Sequence, residues 1–201
     1  MESPRNAFRR AVRERAFALA TEHLKTQPWE QLRIGQLAGE VGVSRPTIYA
    51  EFGSKEGFGE ALVLNEVNRF LSEVNTILEV HTDKPIKGLE KATAFAFKEA
   101  ARSPVVRAIF NSNSAGTGDD RSLAPFVTTR ALPVVSAANE QLYAWFKSLS
   151  PNSTKREVVE SVDALTRLVV SNMMSPDGRP DQVASRMGRI AKKLFPELTD
   201  Q

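Results

Sequence analysis

The sequence contains no cysteine, and this absence excludes several kinds of chemistry at once. Without thiols there can be no disulfide framework, no thiolate metal site and no cysteine nucleophile. Histidine is almost as scarce, because the only two are His23 and His81, and neither belongs to an HExxH or similar ligand pattern. The glycine-rich phosphate-binding motifs GxGxxG and GxxxxGK[ST] are also missing. We therefore expect no metal, no cofactor and no catalytic site.

Long apolar runs are missing as well. A membrane-spanning helix needs about 20 apolar residues in succession, and no segment of the sequence approaches this. The first 20 residues carry five arginines and have no continuous apolar stretch of the kind found in secretory signals. These features favour a protein located in the cytoplasm, without membrane partners.

What the sequence does contain is a normal globular composition with an uneven charge distribution. Of its 201 residues 41% are hydrophobic and 25% charged, which suits a folded chain with a substantial core. Residues 1–55 hold nine basic and six acidic side chains, and the remaining 146 residues balance. The whole net charge of +3 thus lies in the first quarter of the chain. Such asymmetry indicates a segment that faces a polyanion, joined to a neutral body.

Apolar residues recur with helical spacing almost everywhere, and no segment alternates with the period of a strand. We therefore predict an all-α protein. The predicted helices cover Pro4–Thr26, Ile34–Glu40, Arg45–Phe52, Lys55–Val80, Ile86–Ala101, Pro104–Phe110, Leu123–Lys147 with a break or kink at Pro133, Lys155–Met174 and Asp181–Phe195.

The most informative segment is 32–55, where two short predicted helices meet at a tight turn. Gly42 permits the tight turn between helices that pack at a steep angle. Ser44 is placed to cap the second helix, and Pro46 falls in its first turn, where a missing N–H costs nothing. Leu37 and Ile48 supply apolar contacts between the two helices. This pattern is typical of a helix-turn-helix, whose second helix enters the DNA major groove.

Here the sequence resembles the TetR family of transcriptional regulators over about its first 60 residues. The resemblance implies a three-helix helix-turn-helix domain over residues 1–54, followed by a larger helical effector-binding and dimerisation domain over residues 55–201. The residues that carry it are Leu37–Ala38, Gly42–Val43–Ser44, Thr47–Ile48–Tyr49, Phe52 and Lys55.

Resemblance and side-chain chemistry together identify candidate DNA contacts. Arginine can read guanine bidentately and threonine can contact thymine, so Arg45 and Thr47 are the candidate base readers. Tyr49 and Lys55 are the phosphate contacts that the family implies, although they could instead be a packing aromatic and a solvated lysine. Arginines before residue 16, Arg5, Arg9 and Arg10 among them, form either an arm to the DNA or a solvated helix face. The candidate set is Arg33, Ser44, Arg45, Pro46, Thr47, Tyr49 and Lys55.

The second domain contains two further candidate sets. Several aromatics suggest the lining of a pocket for an apolar or partly apolar effector, with core packing as the alternative: Phe95, Phe110, Phe126, Tyr143 and Phe146. The last two predicted helices carry apolar stripes that the family resemblance assigns to a homodimer interface: Val158, Val162, Leu165, Val169, Met173, Val183, Met187, Ile190 and Leu194.

Together these observations predict a homodimeric DNA-binding regulator, a repressor that a small molecule releases from a palindromic operator. The long predicted helix Lys55–Val80 would connect the two domains. Two alternatives remain open: a regulator without a ligand, controlled by a protein partner or by its own abundance, and a helical interaction module that does not bind DNA. We expect no enzymatic activity.

Overall fold

The computed structural model describes residues 3–106, 132–174 and 177–198, and every regular element in these ranges is helical. The all-helical prediction is confirmed. A short 3-10 helix, Trp29–Gln31, lies between the first two α-helices. The α-helices are α1 Pro4–His23, α2 Ile34–Val41, α3 Arg45–Phe52, α4 Lys55–Val80, α5 Pro85–Arg102, α6 Leu132–Leu149, α7 Lys155–Met174 and α8 Pro180–Leu194. No helix within the described ranges is long and apolar enough to cross a membrane.

The predicted bounds of α3, α4 and α7 agree with the structure, and most other ends differ by one or two residues. Among the ends that fall on described residues, the exception is α1, which ends at His23 rather than Thr26. There the amides of Thr26 and Gln27 both donate to the carbonyl of His23, which tightens the chain into turns before Pro28. Residues that precede proline are biased towards extended backbone. The predictions over residues 107–131 lie outside the described residues.

The chain divides into two compact units. The described part of the first unit comprises residues 3–66 and 103–106, and that of the second comprises residues 67–102, 132–174 and 177–198. Helix α4 contributes residues to both units, with the division after Glu66.

Aromatic rings occupy the centre of the first unit. The side chain of Phe58, at the start of α4, is completely buried. Its ring lies edge-on to Phe52 of α3 at 4.9 Å between centroids, and it stacks on Phe17 of α1 at 5.8 Å and on Trp29 at 6.1 Å. Each buried aromatic ring removes a large apolar area from water, so this cluster joins α1, the 3-10 helix, α3 and α4.

In the second unit, α5 packs along α8 and α6 packs along α7. Trp145 and Phe146 of α6 lie in the centre, where Phe146 stacks on Phe195 at 4.5 Å. The indole N–H of Trp145 donates to the carbonyl of Leu78 at 3.2 Å, so the buried ring keeps a hydrogen-bond partner. A smaller cluster is formed by Phe97 with Val183 and Met187.

Candidate nucleic-acid interface

The turn between α2 and α3 has the predicted geometry. Gly42 ends α2 with φ of +87°, in the left-handed region where a side chain is strained. The amides of Gly42 and Val43 both donate to the carbonyl of Ala38 at 3.0 Å, which closes the end of the helix. The predicted role of Gly42 is confirmed.

The start of α3 is capped as predicted. Ser44 Oγ accepts from the backbone amide of Thr47 at 3.2 Å and lies 2.8 Å from the Thr47 hydroxyl. Pro46 lies in the first turn of the helix, where its lack of an N–H is harmless. The first turn of α3 is thus ordered by its own residues.

Helix α3 has an inner and an outer side. Ile48 and Phe52 are buried in the first unit, whereas Arg45 and Pro46 are exposed. Tyr49 is half-buried, and its hydroxyl accepts from Arg45 Nη2 at 3.1 Å. The Arg45 guanidinium also lies 5.3 Å from the centroid of the Tyr49 ring. The two candidate contacts therefore touch each other before any DNA is present.

A feature that sequence reasoning missed braces α3 against α1. Glu51 accepts from Arg9 Nε at 2.7 Å and from Arg13 Nη1 at 3.0 Å, and its side chain is only 7% exposed. The Arg13 guanidinium also lies over the ring of Phe52 at 4.9 Å. Burial raises the pKa of Glu51, but the hydrogen bonds from Arg9 and Arg13 outweigh it, so the net pKa is lowered. The only signal in the sequence was an acidic residue within a basic helix-turn-helix.

The arginines near the N-terminus belong to a helix face rather than to an extended arm. Helix α1 already begins at Pro4, and Ser3 Oγ accepts from the amide of Asn6. Arg5, Arg9 and Arg10 therefore lie within α1, and Arg9 is the partner of Glu51 just described.

Arg33 stands at the N-cap of α2, where a serine or threonine could have capped the helix. Its side chain makes no capping hydrogen bond. It is exposed and has no hydrogen bond or ion pair to any residue that the structure describes. This leaves the guanidinium open to an external anion.

Lys55 is not a freely solvated lysine. Its ammonium donates to the backbone carbonyl of Glu30 at 3.0 Å and lies 5.2 Å from the centre of the Trp29 ring. Burial lowers the pKa of Lys55, and the charges of Glu30 and Glu56 oppose the shift only in part. Lys55 thus links the start of α4 to the segment that precedes α2.

The predicted pocket residues have different environments. Phe146 is buried in the core of the second unit, which is the alternative that the sequence left open for it. Phe95 and Tyr143 are half-buried against the same core, and Phe95 stacks on Phe70 at 5.8 Å. Phe110 and Phe126 lie outside the described residues.

The predicted dimer stripes are largely occupied by packing within the chain. Three of the residues are half-buried, namely Val169, Met173 and Ile190, and Leu194 is exposed. A second copy can bury little more of the other five, because their side chains already lack access to solvent: Val158, Val162, Leu165, Val183 and Met187. For those five, the periodicity reflects the subunit's own core.

The geometry defines a class: a helix-turn-helix protein with a braced second helix, the form of domain that inserts this helix into the DNA major groove. Comparison with known families identifies it further. The family model described as "Bacterial regulatory proteins, tetR family" matches residues 17–62, and "Bacterial Tetracyclin repressor, C-terminal domain" matches residues 85–193, over half of the chain. The chain belongs to the TetR family and is a DNA-binding transcriptional regulator. Members of this family are non-enzymatic.

Individual relatives agree with this assignment. The chain is 24% identical over 185 residues to the HTH-type transcriptional regulator AlkX of Mycobacterium tuberculosis, covering 92% of this chain and 85% of the relative. It is 28% identical over 102 residues to the nucleoid occlusion factor SlmA of Shewanella pealeana, about half of either chain.

Solved structures show the same fold. The TetR family repressor AlkX of a Dietzia species, described as implicated in biodegradation of n-alkanes, superposes with a TM-score of 0.75 at 22% identity, covering 93% of this chain and 97% of that one. A TetR transcriptional regulator from Rhodococcus sp. RHA1 gives a TM-score of 0.59 at 17% identity, covering 98% and 100%.

The ion pairs of Glu51 predict a specific dependence of stability on pH. Because the pKa of Glu51 is lowered in the folded state, its stabilisation is fully present above the unfolded pKa of about 4.3 and is lost as the pH falls through the folded pKa. We expect Glu51→Gln to lower the free energy of unfolding by about 1–3 kcal/mol at pH 7. The difference from wild type should shrink below about pH 4.

Urea unfolding at several pH values measures this difference. Glu14→Gln is the matched control, because the Glu14 side chain is 72% exposed and 3.9 Å from Arg10. A stability deficit of Glu51→Gln that stayed constant between pH 7 and pH 3 would contradict the assigned role of the ion pairs.

Proposed function

We propose that this regulator is a homodimeric repressor that binds a palindromic operator through α3 and is released by a small, partly apolar molecule. The observation that supports DNA reading most directly is the start of α3, where Arg45 is exposed and Thr47 and Tyr49 are only half-buried, while Ile48 and Phe52 hold the helix in the core. We assign DNA binding to residues 1–54 and effector binding and dimerisation to residues 55–201, acting in the cytoplasm.

The proposed contacts follow from the chemistry of each side chain. Arg45 and Thr47 read base edges from the first turn of α3, the end of a recognition helix that approaches the bases.

The phosphate contacts come from Ser44, Tyr49 and Arg33, which donate hydrogen bonds and so fix the register of the protein on DNA. Lys55 also donates to a phosphate, because its ammonium has three N–H donors and uses only one of them on the carbonyl of Glu30. Pro46 sets the start of the helix.

Binding to DNA is tested most cleanly at Arg33, because its side chain is exposed and makes no hydrogen bond or ion pair within the described residues. We expect wild type to bind its own upstream region better than random DNA, and to bind less tightly as salt rises. Removal of one phosphate contact in Arg33→Ala should weaken binding and reduce the slope of log K against log salt by about 1. Fluorescence anisotropy at several salt concentrations gives both quantities.

Lys87→Ala is the charge-matched control, since it removes an exposed positive charge from α5 in the second unit. Its salt slope should equal that of wild type. If wild type bound its own upstream DNA no better than random DNA, this result would favour a helical interaction module over a regulator of its own promoter region.

Repression is the proposed outcome of DNA binding. The Dietzia relative, which shares the fold, is described as a repressor. A dimer on an operator that overlaps a promoter would exclude polymerase sterically, without any further contact. The alternative of regulation without a ligand, by a protein partner or by abundance, leaves this DNA-binding role unchanged.

Dimerisation would place two recognition helices about 34–36 Å apart, so that they enter successive major grooves of a palindromic site. The burial of side chains in the described residues favours some candidates for this interface over others. On α7 and α8 the exposed large apolar side chains among the described residues are Val159, at 45% exposure, Leu168, at 38%, and Leu194, at 37%. Large apolar side chains that remain open to solvent are the ones that a second copy can still bury. We therefore place the interface on these outer faces rather than on the buried stripes.

A charge at Leu168 should break this interface. We expect Leu168→Glu to raise the dimer dissociation constant by at least about tenfold, because burial of an unpaired carboxylate costs more than 1.4 kcal/mol. Sedimentation equilibrium measures the constant. Val80→Glu is the control, because Val80 is a 71% exposed apolar side chain at the end of α4. This variant should leave the dimer dissociation constant unchanged. Equal dissociation constants for wild type and Leu168→Glu would exclude this face.

A small-molecule effector is supported by buried polar atoms in the second unit. Asn139 Oδ1 and Thr166 Oγ1 are buried and have no hydrogen-bond partner among the described residues. The orientation of the Asn139 amide is fixed, since its Nδ2 donates to Asp163 at 2.9 Å. Thr166 lies one helical turn beyond Asp163 on α7. Because buried polar groups are almost always paired, a ligand hydroxyl or a bound water is expected near them.

We propose an effector with an apolar body and one such polar group. It would bind preferentially to the dimer whose recognition helices do not match the operator spacing, since only a difference in affinity between two states can shift their populations. The apolar body is in keeping with the Dietzia repressor, which is implicated in biodegradation of n-alkanes.

A thermal-shift series of n-alkanes and the corresponding primary alcohols tests this chemistry. Ligands that bind the native state raise Tm, and we expect the alcohols to raise it more than the alkanes. Thr166→Val should abolish that advantage while its own Tm equals or exceeds that of wild type, because an unpaired buried hydroxyl is removed. The same substitution at the exposed Thr76 is the control. No shift with any compound would exclude this effector class.

A further inference from the structure

We infer that Tyr49 is a positioning residue for Arg45, so that it contributes to base specificity as well as to attachment to the DNA backbone. This rests on the proposed function, in which Arg45 reads a base. The new element is the coupling: the tyrosine hydroxyl holds the arginine in its reading position before DNA arrives.

Two independent contacts fix the Arg45 guanidinium. Arg45 Nη2 donates to Tyr49 Oη at 3.1 Å, and Arg45 Cζ lies 5.3 Å from the centroid of the aromatic ring. The two residues are four apart on α3, so that the helix itself brings them together. The hydrogen bond sets the position of one nitrogen and the ring restrains the guanidinium, a combination that lysine could not reproduce.

The contact leaves the reading groups of Arg45 free. A guanidinium has five N–H donors, and Tyr49 occupies one. The forks that can contact guanine O6 and N7 pair Nη2 with either Nε or Nη1. Nη2 keeps a second N–H, and neither Nε nor Nη1 has a hydrogen-bond partner within the described residues. Arg45 can therefore stay bound to Tyr49 while it reads a base.

The same hydrogen bond orients Tyr49. A phenol hydroxyl has one donor and two acceptor positions. Because Oη accepts from Arg45, its own proton is directed elsewhere and can be donated to a phosphate oxygen. The Tyr49 hydroxyl thus contacts a phosphate and Arg45 at the same time. The position of the phosphate therefore helps to fix the position of the Arg45 guanidinium over the bases.

The second candidate base reader is held separately. The Thr47 hydroxyl lies 2.8 Å from Ser44 Oγ, at the cap of α3. Loss of the Tyr49 hydroxyl should therefore change the base preference at the Arg45 position and leave the preference at the Thr47 position intact. The inner side of α3 is also unaffected, since Ile48 and Phe52 supply its buried side chains.

The experiment compares full-length wild type, Tyr49→Phe and Arg45→Lys. Wild type first selects binding sites from double-stranded DNA with a randomised centre, and the affinities of all three proteins are then measured for the consensus and for every single-base substitution of it. Arg45→Lys identifies the position that Arg45 reads. At that position we expect Tyr49→Phe to reduce the preference for guanine by about 5- to 10-fold, because an unheld arginine must be ordered on binding.

Lys55→Met serves as the comparison for a backbone contact alone. It should weaken binding evenly across all sequences and keep every base preference. Thermal melts of the variants establish that each is folded, and Tyr49→Phe keeps the aromatic ring.

Three other outcomes would each overturn the inference. If Tyr49→Phe weakens binding evenly, or not at all, Tyr49 is at most a phosphate contact and the inference is overturned while the proposed function stands. If Arg45→Lys keeps all base preferences, Arg45 reads no base and the coupling has no role in specificity. If wild type selects no consensus, sequence-specific binding itself fails, and the inference fails with it.

Discussion

The structure of the first unit depends on the burial of Phe58. Helix α3 has only eight residues and two buried side chains, Ile48 and Phe52, so it is too short to be stable alone. Its orientation must come from its neighbours, and the edge-to-face contact of Phe52 with Phe58, 4.9 Å between centroids, supplies it. Since Phe58 also packs on Phe17 and Trp29, one ring aligns α1, α3 and α4 together. This buried contact therefore helps to fix the position from which the exposed side chains of α3 project.

Charge plays two different roles in the same unit. The carboxylate of Glu51 pairs with Arg9 and Arg13, and these contacts fasten α3 to α1. Arg33 and Arg45, in contrast, have exposed side chains, and neither pairs with an acid within the described residues. The net charge of the segment therefore indicates a polyanion partner but does not distinguish the arginines that stabilise the fold from those that face outwards.

The local features of the helix-turn-helix were predictable because they depend on neighbours in the sequence. The left-handed Gly42, the Ser44 cap and the first-turn Pro46 follow from backbone and capping preferences within a few residues. Contacts between distant residues were not predictable: Arg9 and Glu51 are 42 positions apart, and Lys55 reaches a backbone carbonyl, which no residue type signals.

The last two helices show the limit of periodicity as a signal. A stripe such as Val158, Val162 and Leu165 shows that one face of a helix avoids water, but it does not say what covers that face. Here the chain's own core covers it, and the exposed Leu168 lies on a different side of the same helix. Helices α3 and α7 are alike in this respect. Their most periodic side chains stabilise the subunit, and the side chains available for recognition are those that the apolar pattern leaves out.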